Sequence, residues 1–135
     1  MFQFDFKKRV RYAETDKMGY LYYGHYAKLY EIGRVETMRS IGIQYKCLED
    51  EERIMLPVLS LNARYIAPAY YDELLTIRSI LDELPDKMIT FRHKILNEKE
   101  ELINTAEVKL FFVNMDTGKR ISLPTNLKEK FSLKF

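Results

Sequence analysis

The chain contains few of the residues that form covalent or metal cross-links. Its 135 residues include one cysteine, Cys47, two histidines, His25 and His93, and no tryptophan. A single cysteine cannot form an intramolecular disulfide, and with two histidines it is too small a set for a structural zinc site. We therefore interpret Cys47 as structural and expect an apolar core without a bound metal.

Other absences exclude whole classes of protein. The formal net charge of +2 is far from the concentrated positive field of a nucleic-acid-binding protein. No apolar run is long enough to cross a membrane, and no Gly-rich phosphate loop indicates a nucleotide cofactor. The start, MFQFDFKKRV, lacks the apolar segment of a signal peptide. We expect no nucleic-acid partner, no membrane span, no cofactor and a reducing, cytoplasmic location.

Apolar residues are abundant, at 47%, and follow two periodicities. Alternation from Phe2 to Tyr12, with a bulge at Lys7-Lys8, predicts a strand. Spacings of three and four from Tyr22 to Ile41 predict a long helix that Gly42 ends. Period-two segments dominate the remainder and predict strands over 59–65, 74–84, 88–96 and 106–112, with a short strand over 120–123 and a polar helix after Pro124.

This order of elements predicts one α+β domain over residues 1–135. Its strands are joined by short turns, which indicates an antiparallel sheet of about five strands with a single long helix packed on it. Because burying a large apolar side chain contributes roughly 2 kcal/mol, we expect the sheet to curl around the helix and cover it nearly all round. The mixed charged and apolar outer face indicates an oligomer, a homodimer that assembles further into a homotetramer.

The segment ETDKMG, between the first strand and the helix, holds the most informative carboxylate. Asp16 has two interpretations, a turn or helix-capping residue, or a catalytic group beside the helix N-terminus. Asp16 precedes the helical pattern by several residues, which weakens the capping interpretation. Glu14 lies two residues earlier and competes for the acid role, although we expect it to be solvated or ion-paired. The residues by themselves leave the role of Asp16 open.

Two segments of the chain, residues 9–39 and 63–74, resemble a known family. "RVRYAETDKMGYLYYGHYAKLYEIGRVETMR", residues 9–39, is similar to the N-terminal signature of hydroxybenzoyl-CoA thioesterase-like proteins of the hotdog fold. The shared features are Thr15-Asp16, a glycine three residues later, an aromatic doublet, Tyr26, and Tyr30-Glu31-x-x-Arg34. "ARYIAPAYYDEL", residues 63–74, resembles the same family more weakly. The resemblance implies a hotdog fold, a curved sheet around one central helix, and hydrolysis of an acyl thioester.

Thioester hydrolysis needs a group that attacks the carbonyl or activates water, and donors for the developing oxyanion. The first amides of a helix lack intrahelical acceptors and can serve as those donors, and Gly24 would permit close approach of the substrate. By resemblance, Asp16 is the catalytic carboxylate and the Tyr23 backbone amide is the oxyanion donor. Further candidates for substrate binding are Tyr22, Tyr26 and His25. Arg64 is a candidate for the coenzyme A phosphates as a member of a basic patch with Arg92 and Lys94.

The resemblance implies an acyl-CoA or acyl-carrier-protein thioester as substrate. Asp16 would act as nucleophile or general base, and the sequence does not separate these routes. Two alternatives remain. A hotdog hydratase or dehydratase would need a histidine and a second acid in the cleft, and a non-catalytic acyl-thioester binding protein would be indifferent to Asp16.

Overall fold

Five strands form one antiparallel sheet, in the order β1-β4-β5-β6-β3. The computed structural model describes residues 1–135. The strands are β1 (Phe2–Arg9), β3 (Val58–Tyr65), β4 (Leu74–Leu81), β5 (Met88–Leu96) and β6 (Leu102–Phe111), and a separate pair joins β2 (Ile54–Met55) to β7 (Val113–Asn114). The predicted α+β class and five-stranded antiparallel sheet are therefore confirmed.

The strand boundaries correct several predictions. β1 pairs continuously with β4 from Phe2 to Arg9, so the bulge at Lys7-Lys8 is wrong and Tyr12 lies beyond the strand. β4 ends at Leu81, three residues before the predicted end at 84. β6 starts at Leu102, four residues before the predicted start at 106. The short strand over 120–123 is reduced to one bridge between Arg120 and Val113. In each case the backbone pairing depends on a neighbouring strand, which the alternation of a single segment does not reveal.

The long helix α1 (Tyr26–Ser40) packs on β1, β4 and β5. It begins after a separate 3-10 turn over Tyr23–His25, so the predicted helix start at Tyr22 is wrong by four residues. Its end is confirmed, because Gly42 has a φ of +84° and the Ile43 amide donates to the Met38 carbonyl at 2.9 Å. This left-handed conformation favours glycine.

One face of α1 makes close contact with the sheet. A Cβ added at Gly33 would lie 2.5 Å from Ser79 Oγ and 2.8 Å from Ile77 Cγ2, so only glycine allows this approach. The opposite face of the helix, including Lys28 and Glu31, is exposed. The expectation that α1 is covered nearly all round is therefore wrong for the single chain, since the sheet curls over only one side of the helix.

Two further helices complete the core. Helix α2 (Tyr45–Asp50) was not predicted, because its six residues are too few to show a helical period. Helix α3 (Thr125–Ser132) follows Pro124 as predicted, and its buried Leu127 and Phe131 join the same apolar cluster as the inner face of the sheet.

A buried histidine lies under α1 in this core. His93, on β5, is 1% exposed, its ring stacks on Tyr30 at 5.2 Å, and its Nδ1 lies 2.9 Å from Ser79 Oγ. Burial, with a smaller contribution from Arg34, lowers the pKa of His93 to about 3. The imidazole is therefore neutral at physiological pH and serves the packing of the core.

We expect this histidine to make stability fall in mild acid. Below a pH of about 6.5 the unfolded chain binds a proton at His93 that the folded chain does not, so stability falls by up to about 1.4 kcal/mol per pH unit. Urea unfolding of the wild type between pH 6.5 and 5 measures the slope. His93→Asn, which removes the titrating ring and is less stable overall, should show a flatter slope in this window. Equal slopes for the two proteins would contradict the assignment.

Candidate active site

The loop that carries Asp16 is a short hairpin between β1 and α1. Thr15 pairs with Leu21, and the Asp16 amide donates to the Tyr20 carbonyl at 2.8 Å. Gly19 closes the turn with a φ of +82°, and its amide donates to the Asp16 carbonyl at 3.0 Å. The sequence DKMG therefore folds into a tight turn whose first residue is Asp16.

The two carboxylate oxygens of Asp16 have different environments. Oδ1 accepts hydrogen bonds from the Met18 amide at 2.9 Å and the Tyr20 amide at 3.2 Å, as in the turn interpretation. Oδ2 accepts no hydrogen bond from any protein group. Asp16 is partly buried. One oxygen thus organises the loop, and the other is available to a ligand.

Two backbone amides next to this loop are free. The Tyr23 and Gly24 amides donate to no protein acceptor, whereas the flanking Tyr22 and His25 amides donate to Glu14 and Tyr22 carbonyls at 2.9 Å. The free amides belong to the 3-10 turn that leads into α1. Unpaired amides at the start of a helical segment are suitable donors to an anionic oxygen.

A cavity of about 260 Å³ adjoins both features. Asp16 is the only charged residue in its lining, and most of the other residues are aromatic or aliphatic. They come from the hairpin, from the start of α1 and from the end of β3, and include Tyr23, Tyr26, Tyr65 and Ile66. The arrangement places one carboxylate at the edge of an apolar pocket.

The tyrosines give this pocket rigid aromatic walls. Tyr26 is buried and its ring meets that of Tyr65 edge to face at 5.1 Å. Burial, with a smaller contribution from Tyr65, raises the pKa of Tyr26 to about 12. The Tyr26 phenol therefore stays protonated and can donate a hydrogen bond but cannot act as a base near neutral pH.

Glu14 is not placed to be the catalytic acid. Its side chain does not line the cavity, and the residue is 7% exposed. Burial alone would raise the pKa of Glu14, but the Lys8 ammonium and the Arg11 amide, helped by Lys28, lower it below its ordinary value. The expectation that Glu14 is ion-paired is confirmed, although it is buried and not solvated.

The remaining predicted site residues lie outside the cavity. A Cβ at Gly24 would lie 2.5 Å from Tyr22 Cε2, so the missing side chain makes room for the Tyr22 ring. His25 is partly buried beside Tyr22, with ring centroids 5.7 Å apart. Arg64 lines a different cavity of about 290 Å³, together with Arg92 and Lys94. Of the candidates, the structure brings together Asp16, Tyr23 and Tyr26.

Sequence reasoning missed Tyr65 and Ile66 as pocket residues. Tyr65 is the last residue of β3 and Ile66 follows it, and each is 54% exposed. Two adjacent large apolar residues left exposed at a strand end could have indicated a ligand or partner surface. However, only the fold shows that they reach the loop of Asp16.

No group of three or more His, Cys, Asp or Glu side chains lies close enough together to hold a metal ion. No helix has both the length and the apolar character needed to cross a bilayer. The lining of the cavity offers three kinds of group for chemistry, which are the Asp16 carboxylate, tyrosine hydroxyls and backbone amides.

Comparisons with known proteins agree with this architecture. The family model described as the thioesterase-like superfamily matches residues 10–131. The acyl-CoA thioester hydrolase YbgC of Escherichia coli O6:H1 is 30% identical over 123 residues, which cover 91% of each chain. Among solved structures, a DHNA-CoA thioesterase from Staphylococcus aureus has a TM-score of 0.91 at 31% identity, and the match covers 98% of this chain and 91% of the other.

A further solved structure shows the fold alone. It is a 4-hydroxybenzoyl-CoA thioesterase variant in complex with 4-hydroxybenzoyl-CoA, with a TM-score of 0.86 at 21% identity, and the match covers 96% of this chain and 99% of the other. The fold class implied by residues 9–39 is thereby confirmed as the hotdog fold. Since the family model spans nearly the whole sequence and the relatives align over most of both chains, this chain is a thioester hydrolase and belongs to the thioesterase-like superfamily.

Proposed function

We propose that the protein hydrolyses acyl-CoA thioesters in the cavity next to Asp16, giving a carboxylic acid and free coenzyme A. One observation carries this proposal. A carboxylate oxygen without a protein partner and a backbone amide without an acceptor belong to residues, Asp16 and Tyr23, that line the same apolar cavity. The YbgC relative named above acts on acyl-CoA, which supports the choice of thioester.

The substrate carbonyl would lie between Asp16 and the free amides. Amides that donate to the carbonyl oxygen stabilise the negative charge that develops there as the carbon becomes tetrahedral. Because the amides are already fixed by the fold, they need little reorganisation during the reaction. The apolar walls exclude water, which strengthens these electrostatic interactions.

Asp16 has two routes to the same products. As nucleophile, Oδ2 bonds to the carbonyl carbon, the C–S bond breaks, and water then hydrolyses the mixed anhydride. As general base, the carboxylate takes a proton from water while the water oxygen attacks, and the thiolate leaves and is protonated. Single-turnover hydrolysis in ¹⁸O-labelled water tests the nucleophilic route, because label enters Asp16 only when water attacks the Asp16 carbonyl of a mixed anhydride.

Arg64 is the proposed contact for the coenzyme A phosphates. It lies next to Tyr65 in β3, and their side chains point to opposite faces of the sheet, so a flexible pantetheine would have to pass the end of β3. Arg64 and Lys94 line one outer cavity and neither forms an ion pair, whereas Arg92 is held by Asp82 at 2.7 Å. Cations without a carboxylate partner are available to phosphates.

We further propose that residues 1–135 form one hotdog domain that functions as a homodimer. The edge strand β3 has exposed apolar side chains along its length, whereas on the other edge strand, β1, the apolar side chains of Phe2, Phe4 and Phe6 are buried or partly buried. An unprotected apolar edge strand is suited to pairing with a second copy. Because Tyr65 and Ile66 line the cavity, a partner on β3 would also close it. A homotetramer through the outer sheet face and a cytoplasmic location remain predictions.

Steady-state assays against short, long and aromatic acyl-CoAs test the proposed function. We expect release of free thiol from at least one member of this panel, at a rate that depends on the acyl group because the cavity is small. An enoyl-CoA included in the panel tests the hydratase alternative, which the cavity disfavours because no histidine lines it. Tight binding without thiol release from any member would favour the non-catalytic alternative instead.

A further inference from the structure

Glu14 lies where three segments of the chain meet. Its Oε1 accepts a hydrogen bond from Lys8 of β1 at 2.9 Å and from the Arg11 amide at 2.7 Å. Its Oε2 lies 3.5 Å from Nζ of Lys28, in the first turn of α1. The side chain of Glu14 is only 9% exposed. The carboxylate therefore joins the end of the first strand to the start of the helix.

The backbone of the same residue joins the two sides of the proposed site. The Glu14 carbonyl accepts a hydrogen bond from the Tyr22 amide at 2.9 Å. Glu14 precedes Asp16 by two residues, and Tyr22 immediately precedes the free Tyr23 amide. A shift of Glu14 that breaks this hydrogen bond would therefore change the separation between the carboxylate and the oxyanion donors.

The other anchors of this loop lead away from the helix. The Leu21 amide donates to the Ala69 carbonyl at 2.7 Å and Tyr20 pairs with Tyr70, but no hydrogen bond joins the hairpin itself to α1. The buried charge of Glu14 fixes the connection between the loop and α1. Separating a buried carboxylate from its cations leaves it unpaired, which costs considerable free energy. The ion cluster thus favours one position of the loop relative to the helix.

We propose that Glu14 is a positioning residue that holds the Asp16 carboxylate at a fixed position relative to the Tyr23 and Gly24 amides. This inference rests on the proposed function, because it assigns Glu14 an effect that reaches the substrate only through Asp16. Glu14 does not line the cavity and takes no part in the chemistry. Small displacements of a reacting group can cost about a hundredfold in rate, so a residue of this kind has a measurable effect on turnover.

Glu14→Gln tests the proposal with little change in shape. The glutamine can still accept a hydrogen bond from the Arg11 amide, but it loses the charge that attracts Lys8 and Lys28. We expect kcat per folded molecule to fall by about 10- to 100-fold while KM changes by less than about 3-fold. Glu14→Asp, which keeps the charge on a shorter side chain, should recover part of the loss.

Glu36→Gln is a matched control on the same helix. Glu36 pairs with Arg39 at 3.5 Å, on the far end of α1 from the cavity. Glu36→Gln removes one carboxylate and its ion pair within α1, whereas Glu14→Gln removes one carboxylate that pairs with both Lys8 and Lys28. The control should leave kcat and KM unchanged. A similar loss of kcat in both variants would assign the effect to a general loosening of α1 and overturn the proposal.

Single-turnover rates in the Asp16→Asn background distinguish positioning from a purely structural role. If Glu14 acts through Asp16, adding Glu14→Gln to Asp16→Asn should cause little further loss. If the two losses multiply, Glu14 acts independently of Asp16 and the inference is wrong. Full kcat in Glu14→Gln with a slow Asp16→Asn would overturn only the role of Glu14. Full kcat in Asp16→Asn would instead overturn the catalytic role proposed for Asp16 and this inference with it.

Discussion

Replacing Asp16 with asparagine should lower kcat for acyl-CoA hydrolysis by about 10²- to 10⁴-fold, the range typical of a lost general acid or base. KM should change little, because asparagine preserves the size of the side chain and its oxygen can still accept hydrogen bonds from the Met18 and Tyr20 amides. The loop therefore keeps its shape while the reactive carboxylate is lost. Steady-state kinetics with the best substrate from the acyl-CoA panel measure this effect.

The matched control for this variant is Asp116→Asn. Asp116 lies in an exposed turn, where its carboxylate contacts Arg53 at 3.1 Å. The same change of charge at this distant turn should leave kcat within about twofold. Circular dichroism and the thermal midpoint of unfolding check that both variants are folded. An Asp16→Asn enzyme that keeps more than a third of the wild-type kcat would show that Asp16 is only a turn residue.

Replacing Leu61 with lysine should convert the proposed homodimer into a monomer and abolish most of its activity. Leu61 is 46% exposed in the middle of β3, so a lysine there does not disturb the core of the single chain. In a dimer paired through β3, two lysines would be brought together at an apolar interface, and inward lysines are a common natural block to strand pairing. Light scattering should give a mass close to 16.2 kDa, that of one chain.

Loss of the partner should lower kcat/KM by at least about tenfold, because burial of the cavity walls strengthens the electrostatic interactions with the substrate. The control is Tyr71→Lys, which changes an exposed aromatic residue outside β3 in the same way and should remain a dimer. A wild-type protein that is monomeric and active at assay concentrations would contradict this part of the proposal. A dimeric Leu61→Lys variant would place the interface on another surface.

The elements with strong periodicity could be predicted from the sequence. β5 was predicted over its full length, and the end of α1 at Gly42 followed from the conformational preference of glycine. The start of α1 could not be predicted, because tyrosines occur both in the 3-10 turn and in the helix and their spacing does not distinguish the two. The length of β6 depends on its partners β3 and β5, which become known only with the sheet order.

The site could be predicted only as far as residues that are close in sequence. Asp16, Tyr23 and Tyr26 lie within eleven residues, and the family resemblance of this segment indicated that they belong together. The contribution of Tyr65 is a tertiary contact between distant segments, so no local pattern reports it. Likewise, the burial of Glu14 depends on Lys8 and Lys28, which approach it only when the first strand and the helix pack together.

The central structural proposal is that a thioester carbonyl fits between a carboxylate and two main-chain donors. A crystal structure of Asp16→Asn with a hydrolysable acyl-CoA substrate bound tests it most directly. We expect the carbonyl oxygen to lie about 2.7–3.1 Å from the Tyr23 or Gly24 amide nitrogen, and the side chain at position 16 to face the carbonyl carbon. An acyl-CoA bound with its carbonyl remote from these amides, and with side chain 16 directed into solvent, would contradict the account.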